Sequence, residues 1–226
     1  ARHAQMGEMI GMIAHQWRQP LNAMSGAAVN LGLRQQIGMI KDEDVKEASK
    51  FIQKSAQQMS QTIDDFMNFF NSNSEKEFFN LTDVIGNLEN MIIAQLKIHG
   101  VELEITVEGC LEIHGNQNEL THVLLNLITN ARDALNAQTK AQKKITIHAY
   151  DEPDATCSIK VSDNGGGIDV AIIDKIFNPY FTTKEQGQGT GIGLHMAKEI
   201  IERNFNGAIT VRNIDDGVEF TLNFNT

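Results

Sequence analysis

His15 stands in the run Ile13-Ala14-His15-Gln16-Trp17-Arg18-Gln19-Pro20-Leu21-Asn22. A neutral imidazole, the majority form near pH 7, has a ring lone pair able to attack an electrophile such as a phosphoryl group. One histidine on a helix is ordinary, so the weight falls on what accompanies it. Asn126 and Asn130 are four apart in an otherwise apolar stretch and share one helical face. Such amides serve either as caps and packing polar groups or as neutral oxygens near a hydrated Mg2+, a cation that keeps several waters. Val161-Ser162-Asp163-Asn164-Gly165-Gly166-Gly167-Ile168 sets a carboxylate before three glycines. That is either a plain turn or a surface where the backbone approaches a flat ligand and the carboxylate accepts the exocyclic amine of adenine. Gly187-Gln188-Gly189-Thr190-Gly191-Ile192-Gly193-Leu194 opens a helix, where N–H groups and the helix dipole suit a phosphate chain. It lacks the Gly-Lys-Ser/Thr ending of a P-loop. Between the glycine runs, Phe177-Asn178-Pro179-Tyr180-Phe181-Thr182-Thr183-Lys184 puts aromatics on a loop. There Phe177 and Phe181 anchor either a lid or simple loop packing.

These groups need a scaffold, and composition bounds it. The 226 residues are 41% hydrophobic, enough for one large domain or two small ones. A net charge of −10 argues against nucleic acid as a partner, yet leaves room for a nucleotide in a glycine-rich loop. No apolar run is long enough to span a bilayer and no signal-peptide pattern opens the chain. Cys110 and Cys157 lie in strand-like surroundings and are expected to be buried reduced thiols, in keeping with a cytoplasmic setting. The chain starts inside a helical pattern without a cap. An upstream sensor region outside this chain is therefore expected.

Residues 1–72 read as two long helices. Met6, Ile10, Ile13, Trp17, Met24, Ala28 and Leu31 recur at bundle spacing, as do Val45, Ala48, Ile52, Ala56, Met59, Ile63, Phe66 and Phe70 after a break at 38–44. A hairpin of two helices, each about 45 Å long, cannot cover both stripes by itself. A homodimer forming a four-helix bundle through residues 1–72 is the cheapest solution. With Ile13 and Trp17 facing the core, His15 points to solvent, and Pro20 bends the helix one turn on.

The polar stretch 73–77 is read as a linker. From 78 to 226, strand and helix patterns mix. Strands are expected over 78–81, 101–107, 111–114, 144–150, 156–161, 208–212 and 218–224. Helices are expected over 82–98, started by Thr82 or Asp83, then after Asn116, and from about 191 to 204. Asp215-Asp216-Gly217 marks the last hairpin turn. The sum is an α/β sandwich with helices on one face of a mixed, largely antiparallel sheet.

Taken in order, these motifs resemble the core of a bacterial two-component sensor histidine kinase over nearly the whole chain. Ala14 to Leu21 looks like the phosphoacceptor box. Asn126 to Asn130, continuing through Asp133 to Leu135, resembles the asparagine box. Asp163 to Gly167, with Ile168, resembles the first glycine box, Phe177 to Phe181 the phenylalanine box, and Gly189 to Leu194 the second glycine box. The resemblance implies a dimerisation and histidine-phosphotransfer domain over 1–72. It implies a catalytic ATP-binding domain of Bergerat type over 78–226, akin to gyrase and to chaperone and mismatch-repair ATPases. Asp163 with Gly165 and Gly167 would hold adenine, and Asn126 and Asn130 would face a Mg2+ carried by Asn130. Thr182, Thr183, Lys184, Gly187, Gly189, Thr190, Gly191, Ile192 and Gly193 would close over the triphosphate. His15 would take the γ-phosphoryl group and pass it to an aspartate of a response-regulator receiver domain. The ATPase cousins place a glutamate where Asn126 stands. An amide cannot accept a proton from water, which favours the histidine as acceptor. A nucleotide-binding signalling dimer with weak or lost kinase activity, and a serine kinase on the same ATP fold, are the alternatives.

Two neighbours of His15 depart from or vary the family pattern. Many relatives carry an acidic residue directly after the histidine, where this chain has Gln16. Its amide can orient the imidazole but cannot absorb the proton. Gln19, one turn on, can orient water for dephosphorylating the regulator. General-base help is worth about 10²–10⁴-fold. Gln16→Glu is accordingly expected to raise the single-turnover autophosphorylation rate, and an unchanged rate would contradict the role given to Gln16.

Overall fold

The computed structural model describes residues 2–70, 76–109, 112–152, 156–184 and 191–225; the side chains at 2–16, 19, 58, 61–70, 156 and 225 are outside that description. The chain divides into a helical unit built on Ala1–Phe70 and an α/β unit built on Asn71–Phe181 with Gly191–Thr226.

The helical unit consists of α1 (Arg2–Gln36) and α2 (Asp42–Phe70). Helix α1 continues through Pro20. It ends where Gly38 takes φ 68°, with its N–H bonded to Gln35 O at 3.1 Å and Met39 N–H to Arg34 O at 2.8 Å. This pair of bonds is the Schellman closure, and it needs a residue tolerant of the left-handed region. Helix α2 starts three residues before Val45, because Asp42, Glu43 and Asp44 give its first turn the charge that the helix dipole favours. Asp44 reaches back to the Lys41 N–H at 3.0 Å and accepts Arg34 Nη1 at 2.6 Å, which ties the two helices together. The Lys41 N–H and then the Arg34 guanidinium hold its carboxyl below the usual carboxylate value. The Trp17 indole N–H is buried without a partner among the described residues. Leu21, Val29, Leu33, Ile37, Met39, Val45 and Phe51 remain exposed on this unit.

The α/β unit contains β1 (Glu77–Asn80), α3 (Leu81–Ile98), β2 (Val101–Glu108), β3 (Glu112–Gly115), α4 (Gln117–Asn136), β4 (Lys143–Asp151), β5 (Thr156–Asp163), α5 (Gly193–Glu199), β6 (Ala208–Ile214) and β7 (Gly217–Asn225). Its five-stranded sheet runs β2-β4-β5-β7-β6, and β1 pairs with β3 in a small second sheet. Only β2 and β4 are parallel; the other pairings are antiparallel, so the mixed sheet expected from the sequence is present. Strand alternation points Ile145, Ile147 and Ala149, then Ile159 and Val161, then Leu222 and Phe224 inward. Against them lies the apolar stripe of α4, namely Leu120, Val123, Leu124, Leu127, Ile128, Ala131 and Leu135. Helix α3 buries Leu81, Val84, Ile85, Leu88, Ile92 and Leu96.

Several local expectations are corrected. The cap of α3 is Asn80, whose side chain accepts the Thr82 N–H at 2.8 Å, rather than Thr82 or Asp83. Asn116 caps α4 as expected, accepting from Asn118 and Glu119 N–H, while buried Glu119 accepts Asn204 Nδ2 at 2.9 Å. The last helix is α-helical only to Glu199 and continues as a π-helical turn over Ile200–Asn204, which closes with Phe205 N–H on Ile200 O. That wider turn delivers Phe205 into a ring cluster with Phe79 and Phe224. Cys157 is buried, as expected, but disulfide-bonded rather than a reduced thiol. The register brings strand ends together there: Asp151 of β4 pairs with Cys157, and Gly109 after β2 lies against the Asp151 carboxyl. Cys110 lies outside the described residues.

Leu124 is fully buried between α4 and the sheet. Leu124→Ala is expected to destabilise the α/β unit by about 2–5 kcal/mol, the cost of lost transfer energy plus an unfilled cavity, as read from urea unfolding.

Candidate active site

Strand β5 ends at Asp163, and the same alternation that buries Ile159 and Val161 turns its carboxylate inward, to 8% exposure. Oδ1 accepts the Gly165 N–H at 2.7 Å. Burial pushes the Asp163 carboxyl above its ordinary value, and the Gly165 N–H, the Lys140 charge and the Val218 N–H oppose that rise. The following loop lies directly on the end of α4. A Cβ on Gly165 would come within 2.8 Å of Asp163 Oδ1 and 3.1 Å of the Ala134 side chain. Gly166 and Gly167 adopt φ 99° and 79°, which favours glycine. Ile168, half-buried, completes this loop.

Toward the N-terminal half of α4 the site changes character. Asn130 Nδ2 donates to Asn126 Oδ1 at 3.3 Å. Asn126 Nδ2 is buried and has no hydrogen-bond partner among the described residues, a costly state for an amide. Gly193, the first residue of α5, abuts the Asn126 amide so closely that a Cβ there would collide with it. The structure thus brings Gly193, from the end of the second glycine run, against the asparagine pair. Asp133, one further turn along the same face, accepts Arg132 Nη2 at 2.7 Å. From Asn126 to Ala134 is about 12 Å along the helix, so the carboxylate loop and the orphaned amide mark two ends of one face.

The aromatic segment is anchored. Phe177 packs edge-on against Phe220, with centroids 6.3 Å apart, and Lys198 lies over its face. Its carbonyl is 3.1 Å from His195 Nδ1, a contact that requires the proton on that nitrogen. This contact ties α5 to the aromatic segment. Tyr180 has φ 67°, unusual for a residue with a Cβ, and donates its N–H to Gly191 O at 2.8 Å. Gly191, φ 64°, lies against the Tyr180 backbone where a side chain would clash. Ile192 is buried, and Phe181 and Leu194 are half-buried. Thr182 Oγ1 accepts the Lys184 N–H at 3.2 Å, and Thr182, Thr183 and Lys184 fall outside the α/β unit. Gly187, Gly189 and Thr190 lie outside the described residues, as do the side chains of His15, Gln16 and Gln19, whose backbone lies in α1. Two residues that motif spacing does not flag, Lys140 and Asn213, reach the Asp163 loop. Only their long-range contacts reveal them.

The donor set suits a hydrated Mg2+. Asn130 Nδ2 is committed to Asn126, and an amide oxygen is a ligand type that Mg2+ accepts. Among the described residues there is no group of three or more His, Cys, Asp or Glu side chains placed to hold a metal ion.

Two family profiles match the chain. One, described as the His Kinase A (phospho-acceptor) domain, matches residues 5–75. The other, described as histidine kinase-, DNA gyrase B-, and HSP90-like ATPase, matches residues 115–226. The two-component sensor PprA of Pseudomonas aeruginosa is 29% identical over 98% of this chain and 24% of its own length. The signal transduction histidine-protein kinase AtoS of Escherichia coli is 31% identical over 98% of this chain and 35% of its own. The chain therefore spans less than half of these curated relatives. Among solved structures, the catalytic domain of histidine kinase ThkA is similar at 28% identity and TM-score 0.59, covering 67% of this chain and 95% of that one. ThkA in complex with response regulator protein TrrA shares the fold over 99% of this chain and 62% of that one, at 23% identity and TM-score 0.71.

The raised Asp163 pKa has a stability consequence. A carboxyl whose folded value exceeds its unfolded value contributes stability below the unfolded value of 3.8, and this is lost as pH rises through the folded value. Asp163→Asn, neutral at every pH, is expected to melt at a higher temperature than the parent at pH 7. The gap should close as pH falls toward 3.8. A gap independent of pH in thermal unfolding would contradict burial as the cause.

Proposed function

Because the chain belongs to the sensor histidine kinases, with a phospho-acceptor domain followed by an ATPase domain of the gyrase B and HSP90-like kind, we propose that it transfers the γ-phosphoryl group of ATP to His15 and then to an aspartate of a response-regulator receiver domain. Residues 1–72 act as the dimerisation and phosphotransfer domain, 73–77 as linker and 78–226 as the ATP-binding domain. The exposed apolar residues of the helical unit support a homodimer that covers them as a four-helix bundle. The response-regulator partner is supported by the ThkA–TrrA complex. The greater length of the curated relatives supports a separate sensing region that supplies the stimulus. We place the kinase core on the cytoplasmic side of the membrane, where ATP is; no helix among the described residues is long and apolar enough to cross a membrane.

The orphaned Asn126 amide is the observation that carries this reading. Phosphoryl transfer needs positioning and charge stabilisation more than covalent help from the protein. Asp163 accepts the adenine amine, and Gly165, Gly167 and Ile168 line the base. Asn126 Nδ2 donates to a phosphate oxygen, and Asp133 orients Arg132 beside the same face. Asn130 holds Mg2+, which when bound neutralises the triphosphate charge. Phe177 and Phe181 anchor the segment, and Thr182, Thr183, Lys184, Gly187, Gly189, Thr190, Gly191, Ile192, Gly193 and Leu194 cover the phosphates. An amide at 126 cannot deprotonate water, so ATP persists until His15 is presented. The imidazole lone pair then forms the P–N bond as the bond to ADP breaks, and the other ring N–H, oriented by Gln16, loses its proton to solvent. Gln19 orients water when the phosphorylated regulator is hydrolysed.

Incubation with γ-labelled ATP is expected to give an acid-labile, alkali-stable label that His15→Ala abolishes. An acid-stable label, or nucleotide binding without any label, would contradict the assignment.

A further inference from the structure

The glycine loop after Asp163 is gripped from outside by the β6–β7 hairpin, which lies beyond every recognised motif. Asn213 Oδ1 accepts the Ile168 N–H at 2.8 Å, and Asn213 Nδ2 donates to Ile168 O at 2.7 Å. One carboxamide thus satisfies both backbone polar groups of one residue, which also fixes the orientation of the amide. Two residues back, the Gly166 N–H donates to Asp216 O at 3.1 Å. Lys140 Nζ donates to both the Asp216 carboxylate and the Asn164 carbonyl. The Asn164 side chain is itself bound, accepting the Lys144 N–H at 2.8 Å and donating to Gln142 O at 3.0 Å. Positions 164, 166 and 168 are therefore each tethered, and the glycines among them are the residues with most freedom to lose. Gly217 is pressed against the Asp163 carbonyl, so the hairpin and the carboxylate move together.

We propose that Asn213 is a positioning residue for base recognition: by clamping Ile168 against the hairpin it holds the glycine loop in the one conformation that presents Asp163 to the adenine amine, and so sets the preference for adenine over other purines. The proposal rests on the reading of Asp163 as the adenine acceptor. Both polar atoms of the Asn213 amide are committed to Ile168, so its role is indirect. It acts by removing conformations that the loop would otherwise have to give up on binding. A site built to accept a hydrogen bond from an amine discriminates strongly against a ligand lacking it, but only while the acceptor is held in place.

Calorimetric titration of the whole chain with Mg2+·ATP and with Mg2+·inosine triphosphate, in which a carbonyl replaces the amine, tests this. Asn213→Ala is expected to weaken ATP binding roughly tenfold, the worth of about one net hydrogen bond. Inosine triphosphate affinity should change little, so the preference falls by the same factor. Asn213→Asp keeps the acceptor for the Ile168 N–H but loses the donor and should fall between the two; it decides the matter should Asn213→Ala fail to fold. A merely structural role weakens both nucleotides equally, and that result overturns the proposal. Asp163→Asn, which replaces one carboxylate oxygen by a donor, is the control. If it erases the preference while Asn213→Ala leaves the preference intact, the proposal is wrong. If Asp163→Asn leaves the preference intact, the adenine reading fails first and the proposal falls with it.

Discussion

A carboxylate at 8% exposure is expensive unless its oxygens find donors. Asp163 finds the Gly165 N–H, the Val218 N–H and the field of Lys140, and still its carboxyl is held above the ordinary value. The fold around it is arranged to tolerate that cost. Strand β7 packs so near that residue 217 has room only for hydrogen, and a side chain at 165 would press on the Asp163 carboxylate itself, with α4 a little farther away. The strain is concentrated where a ligand amine would relieve it, which is how a binding site differs from an ordinary buried ion pair.

Eight residues along α4 the problem is inverted. Asn126 there buries a donor with no acceptor among the described residues, and Gly193 keeps it enclosed. At one end the donors to the carboxylate do not fully offset its burial, and at the other the amide has no acceptor among the described residues. A nucleotide has an amine at its base and oxygens at its phosphates, so it complements both. The backbone between these ends and α5 carries its own strain in Tyr180, held at φ 67° by the bond to Gly191. Such strain persists only where the surroundings over-determine it.

Much of this was legible in the sequence because it depends on local rules. Periodicity of 3.6 located α1, α2 and α4, alternation located β2, and glycines after a carboxylate located a close approach. The order of the motifs then carried the family. What the sequence hid depends on contacts distant along the chain. Asn213 lies 45 residues from the Ile168 it clamps, and nothing in its surroundings distinguishes it from any strand asparagine. Asn80 rather than Thr82 caps α3, because β1 ends in extended backbone and an asparagine oxygen there reaches the second helical N–H. The π turn after Glu199 follows from placing Phe205 among Phe79 and Phe224, a requirement of packing rather than of propensity. The disulfide state of Cys157 is likewise something composition cannot reveal.

The proposed adenine contact requires Asp163 to be ionised when it receives the amine. Carbon-13 NMR of the Asp163 carboxyl across a pH titration, with and without saturating ATP, reads this directly. The free chain should titrate above 3.8 because of burial. ATP should move the midpoint down, since a ligand that prefers the ionised form must lower its pKa by linkage. A midpoint that stays in place or rises on saturation would contradict the account.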